Sequence, residues 1–146
     1  MDQIKFLFRA DKTNVGDWWC PPWKFFPFKP GAVSDIADDS CEITNTDILI
    51  VGGGGLGSEF FRKDLARLRA SKPKALITWG VGVDTVVKPG EILIDTRYDL
   101  HGDYFDFFDE KGTRVFSEKK GYTYVPCVSC MSNLFFKYRD VKPTAK

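Results

Sequence analysis

The sequence predicts an α/β domain built on a parallel sheet with helices on both faces, and three observations carry that reading. Ile48-Leu49-Ile50-Val51 and Ala75-Leu76-Ile77-Thr78-Trp79 are near-continuous apolar runs of the kind found in strands covered on both sides. The stretch between them, Glu59 to Ala70, repeats apolar residues at helical spacing, so strand, helix and strand form a βαβ unit. Loops at 14 to 17, 52 to 57 and 80 to 84 follow three apolar strands, where open α/β sheets bind ligands. At 146 residues the chain has the length of one domain with its own core.

Ile4-Lys5-Phe6-Leu7-Phe8 reads as the first strand and Asp11 to Asp17 as a polar turn. Six aromatics and four prolines crowd the span from Trp18 to Pro30, which forbids a regular helix there and predicts an ordered apolar loop. That loop could stack on sugar rings through its tryptophans, and the preferred reading is a hydrophobic lid on the sheet. Asp47 leads into the strand at 48 to 51, which the four glycines 52 to 55 end. Ser58 is the expected N-cap of a helix over Glu59 to Ala70, with Phe60, Phe61, Leu65 and Leu68 on its apolar stripe and Pro73 closing it. The strand from Ala75 to Trp79 then ends at Gly80, Gly82 and Asp84, and is expected to lie beside the strand at 48 to 51 in the middle of the sheet. Ile92 to Ile94 and Tyr122 to Val125 are further strand candidates, separated by the acidic, aromatic stretch Tyr98 to Glu110. The domain is expected to span 1 to 136, followed by an exposed basic tail over 137 to 146.

Twenty-one Lys and Arg against twenty Asp and Glu leave a net charge of +1, which offers no dominant phosphate-neutralising face and argues against a nucleic-acid partner. The longest run of apolar residues and glycine, Ile48 to Gly57, is far shorter than the roughly 18 that suggest a membrane span. No basic segment precedes the first strand, so a soluble, cytoplasmic protein without a secretory signal is expected, its four cysteines reduced.

Gly52-x-Gly54-x-x-Gly57 fits a dinucleotide fingerprint by letter and could present backbone N–H groups to an anion; equally, its glycines serve a tight turn and close helix packing. The fingerprint wants an acid about 20 positions on, at the end of the next strand, to hold a ribose. Trp79 and Gly80 stand there instead, so NAD binding is not expected. Cys127 and Cys130 have the spacing of a redox pair or half a zinc site, but Cys20 and Cys41 make no second such pair, and reduced, metal-free structural thiols are expected. His101 is the single histidine, which removes any chemistry needing two imidazoles. Asp99, His101 and Asp103 would share a face of an extended segment; a solvated loop is the preferred reading, and no resident metal is expected.

Five separated segments, Asn14-Val15-Gly16-Asp17, Asp47 to Leu56, Trp79 to Asp84, Tyr98-Asp99-Leu100 and Val125 to Met131, together resemble the N-terminal half of the polysaccharide pyruvyl transferases, over about residues 4 to 136. The resemblance implies a Rossmann-like domain similar to one half of a GT-B fold. It also implies transfer of the pyruvyl group of phosphoenolpyruvate, a co-substrate rather than a bound cofactor, to a sugar of a cell-surface polysaccharide. Asn14, Gly16, Gly52, Gly53, Gly54, Gly55 and Gly82 would then line one wall of a ligand cleft. Asp17 and Asp84 would contact sugar hydroxyls or act as general base, with a turn cap as the bland alternative for Asp17. Two departures stand out. Leu100-His101-Gly102-Asp103 lacks the arginine of the family's Gly-x-Arg-Asp element, and the chain stops where the family's second domain begins. The basic groups for the donor are therefore expected on a second domain, another chain or a second copy, leaving this chain inactive alone. The competing reading is a non-catalytic sugar or nucleotide binding module on the same fold.

Overall fold

The computed structural model describes residues 3–25, 27, 31–57, 59–82, 105–114, 121–131 and 137. Six strands form one all-parallel sheet: β1 (Gln3–Phe8), β2 (Ala32–Asp35), β3 (Asp47–Val51), β4 (Ala75–Val81), β5 (Glu110–Thr113) and β6 (Tyr122–Tyr124). Their order is β2-β1-β3-β4-β5-β6, an arrangement of the Rossmann-like α/β kind. The two apolar runs singled out in the sequence, β3 and β4, are the central neighbours, with Ile48 beside Ala75 and Ile50 beside Ile77.

The described α-helices are few and short. Helix α2 (Arg62–Ala70) buries Leu65 and Leu68 in the main core, against Leu49, Val51 and Leu76 of the central strands. Leu7 joins that cluster, so by strand alternation Phe8 faces the other side. There Trp18, from the five-residue helix α1 (Val15–Trp19), stands 6.5 Å from the Phe8 ring.

The helix after the glycine loop differs from expectation. Glu59–Phe61 forms a 3₁₀ turn, α2 begins only at Arg62, and its N-cap Phe61 makes no side-chain capping bond. Ser58, the expected cap, lies outside the described residues. Phe60 is 76% exposed rather than on the buried stripe. The reason is register: Phe61, Leu65 and Leu68 are spaced i, i+4, i+7, whereas that spacing from Phe60 reaches Asp64 and Arg67.

Two strands were not anticipated. Ala32–Asp35 pairs with β1, and Glu110–Thr113 with β4, where Asp109 N–H donates to the Leu76 carbonyl at 2.8 Å and Leu76 N–H returns a bond to Asp109 Oδ2 at 2.9 Å. β4 runs two residues beyond Trp79, and its pairing with β5 shifts register between Thr78 and Val81 around Gly80, which takes φ +64°. β6 bears out the strand expected at 122 to 125 to within a residue. The candidate strand at 92 to 94 and the tail beyond 137 lie outside the described residues.

Candidate functional site

All strands run the same way, so their carboxyl ends, with the described residues directly after β1, β3, β4, β5 and β6, collect at one end of the sheet. The first of them is built on asparagine chemistry. Asn14 is the N-cap of α1: its Oδ1 accepts the Gly16 N–H at 3.0 Å, while its Nδ2 donates to Asp17 Oδ2 at 2.9 Å. Both ends of that side chain are thus committed to shaping the turn. An added Cβ at Gly16 would sit 3.2 Å from Asn14 Oδ1, tight enough that the cap would have to give. The polar turn expected over 11 to 17 therefore becomes, from Val15, the first turn of a short helix.

The capping bond presents Asp17, half-buried, to the glycine loop. Gly54 holds φ +71°, and a Cβ there would stand 2.3 Å from Asp17 Oδ1. A Cβ on Gly53 would meet Cys20 Cβ at 2.5 Å, and one on Gly52 the Trp79 carbonyl oxygen at 2.2 Å. The loop after β3 is consequently packed between the loop after β1 and the end of β4, and only glycine backbone fits. Several of its polar groups are spent inside the protein: Gly52 N–H donates to Leu7 O at 3.1 Å, Gly57 N–H to Gly82 O at 3.0 Å, and Gly82 N–H to Gly54 O at 2.8 Å. Gly55 is half-buried. Asn14, Gly16, Asp17, Gly52, Gly53, Gly54 and Gly82 are therefore brought together; Asp84, with Asp99, His101 and Asp103, lies outside the described residues.

Sequence reading missed two groups. Arg114, directly after β5, lays its guanidinium on Gly82, with Nε 2.4 Å from where a Cβ would be, and so brings a cation to this end of the sheet. Cys20 and Cys127 face one another with sulfurs 3.5 Å apart, and Ser129 Oγ lies 3.0 Å from Cys127 Sγ. The shared hydrogen bond pushes the Cys20 thiol up and holds Cys127 well below the ordinary thiol range; burial adds to the first, and the Ser129 hydroxyl and N–H and the Arg114 charge to the second. The spacing noted in the sequence was that of Cys127 and Cys130, read as reduced structural thiols; the side chain of Cys130 is not among the described residues. A signal existed for the loop positions, which follow apolar strands, but none for a contact between residues 107 apart.

The aromatic segment is partly closed to ligands. Lys24 Nζ stands 4.2 Å from the Trp18 ring centroid and donates to the Trp18 carbonyl, while Trp18 and Trp19 remain 38% and 41% exposed. Pro22–Lys24 forms a 3₁₀ turn within it. Among the described residues no three His, Cys, Asp or Glu cluster as a metal site would require, and no helix is long and apolar enough to cross a membrane. Comparison with family models, with curated proteins and with solved structures finds no match.

Proposed function

We propose that this chain is the acceptor-side half of a polysaccharide pyruvyl transferase-type enzyme, acting on a cell-surface glycan in the cytoplasm and completed by a second domain, chain or copy. The observation that carries the reading is the strand order. It reverses between β1 and β3, and in open parallel sheets ligands sit outside the carboxyl ends of the strands at such a switch point. The loops flanking that point are Asn14 to Asp17 and Gly52 to Gly55, two of the segments on which the family resemblance rests.

In the reaction, two sugar hydroxyl oxygens bond to C2 of phosphoenolpyruvate, its C3 gains a proton to become methyl, and phosphate leaves with the other hydroxyl proton. Asp17, its carboxylate oriented by Asn14, is the group to receive the proton of an attacking hydroxyl. Arg114 adds a cation that could face the donor's carboxylate or phosphate. Arg114 by itself is short of what a multiply charged donor needs, and the reading draws the further cations from a second half.

The test is a thermal-shift series with the purified chain and, separately, galactose- or mannose-containing glycans, phosphoenolpyruvate, nucleotide sugars and NAD, together with a phosphate-release assay. A ligand at 100 times its dissociation constant stabilises the fold by about 2.7 kcal/mol. Glycans are expected to raise the midpoint in the parent chain and not in Asp17→Asn, with no phosphate released. A shift with nucleotides alone would replace the proposal by the binding-module reading. Turnover by a strict monomer would show that no second half is needed.

A further inference from the structure

We propose that Cys20 and Cys127 are a reversible dithiol–disulfide pair, oxidised by a low-molecular-weight disulfide, that clips the loop after α1 to the loop after β6 across the glycine loop. The two sulfurs are 3.5 Å apart although the residues are separated by 107 positions, so the fold and not chain proximity brings them together. Bond formation needs an approach of about 1.5 Å, to the usual S–S length of about 2.05 Å. The environment divides the labour between them. Cys20 is 4% exposed, seated against the Cα of Gly53, whereas Cys127 is half-buried and so the one an incoming reagent meets. Ser129 Oγ at 3.0 Å and the guanidinium of Arg114 stabilise negative charge on Cys127, and the reactive form of a cysteine is its thiolate. The lowered titration of Cys127 and the raised titration of Cys20 agree with that division.

The chemistry balances as thiol–disulfide exchange. The Cys127 thiolate attacks one sulfur of the small disulfide RSSR, whose S–S bond breaks; a mixed disulfide forms and RS⁻ leaves to be protonated. Cys20 then gives up its proton and attacks Cys127 Sγ, expelling the second RS⁻. In sum two protein thiols and one RSSR become one protein disulfide and two RSH. Excess small thiol reverses both steps. This proposal does not depend on pyruvyl transfer, but the bond would pin Asn14 to Cys20, and with them Asp17, onto the loop at 52 to 57.

The experiment incubates the intact chain with glutathione buffers of increasing disulfide fraction, then counts thiols by maleimide labelling and maps the cross-link by peptide mass spectrometry. Two of the four thiols are expected to be lost together, with a mass decrease of two hydrogens, a peptide pair joining Cys20 to Cys127, and full recovery in excess reduced glutathione. Cys20→Ala should stall as a glutathione adduct on Cys127, since the resolving thiol is gone; Cys127→Ala should resist modification at Cys20. The map of the unaltered chain decides the matter even if a variant fails to fold. A Cys127 to Cys130 bond, a bond through Cys41, or mixed disulfides without a Cys20 to Cys127 cross-link would overturn the proposal.

Discussion

Lys5 and Asp47 form a buried ion pair at 2.8 Å towards the end of the sheet opposite the candidate site, and Thr44 N–H adds a 2.6 Å bond to the same carboxylate. Burial pushes the Asp47 carboxyl up, but the Lys5 ammonium and the Thr44 N–H and hydroxyl outweigh it and hold the group below its ordinary value. A carboxylate depressed in the fold stabilises above its unfolded pKa of about 3.9, and that contribution is lost as pH falls through the folded value. Asp47→Asn, which leaves Lys5 without its counter-charge, should cost about 3 to 5 kcal/mol at neutral pH. The gap between parent and variant should shrink only below about pH 4, measured by urea unfolding across pH. Gly54→Ala meets both a left-handed φ and Asp17 Oδ1, and should cost more than the roughly 1 to 2 kcal/mol of the backbone alone, read from the denaturation midpoint. The glycines of this loop were legible as a turn that binds or packs, and the geometry gives each of Gly52, Gly53 and Gly54 a packing reason. Arg114 was not legible, since nothing in Glu110-Lys111-Gly112-Thr113-Arg114 marks its last residue until the strand beside it places the guanidinium on Gly82.

Helix α2 depends on the sheet, being short, without a side-chain cap at its N-terminus and held by two leucines with no exposed surface. Leu65→Ala or Leu68→Ala should therefore lower stability by about 2 to 5 kcal/mol, while Phe60→Ser, on the exposed side, should change it by no more than about 0.5 kcal/mol; denaturant titration separates the two outcomes. Strands β3 and β4 could be read from the sequence because burial on both faces demands continuous apolar residues, a pattern that survives without knowledge of neighbours, and β1 from its looser alternation. Ala32-Val33-Ser34-Asp35 and Glu110-Lys111-Gly112-Thr113 carry no such pattern. They are strands because β1 and β4 offer them hydrogen-bonding edges, and Gly112 permits the approach, its absent Cβ leaving room for the Thr78 carbonyl. The helix start was misplaced because a serine before an amphipathic run signals a cap, whereas Glu59–Phe61 takes a 3₁₀ turn before the α-helix begins.

Across the whole sheet, stability should grade outward from β3 and β4. Native-state hydrogen exchange is expected to find the slowest amides in Ile50, Val51 and Ile77 and the fastest strand amides in Tyr122 to Tyr124, which pair on one side with β5. Equal protection in β6 and β3 would show that the sheet opens as one unit. The strand order also bears on how the chain comes to be folded at all. From β4 onward each strand pairs with the one made just before it, so sheet growth and chain growth run in the same direction. A ribosome releasing this chain would hand over β4, β5 and β6 one at a time to an edge already formed, each addition closing only one further loop. The exception is β2, which docks on the far side of β1, while β1 must join β3 across the excursion that contains it. The difficult step of folding is thereby moved to the first third of the protein, before most of the chain has been synthesised.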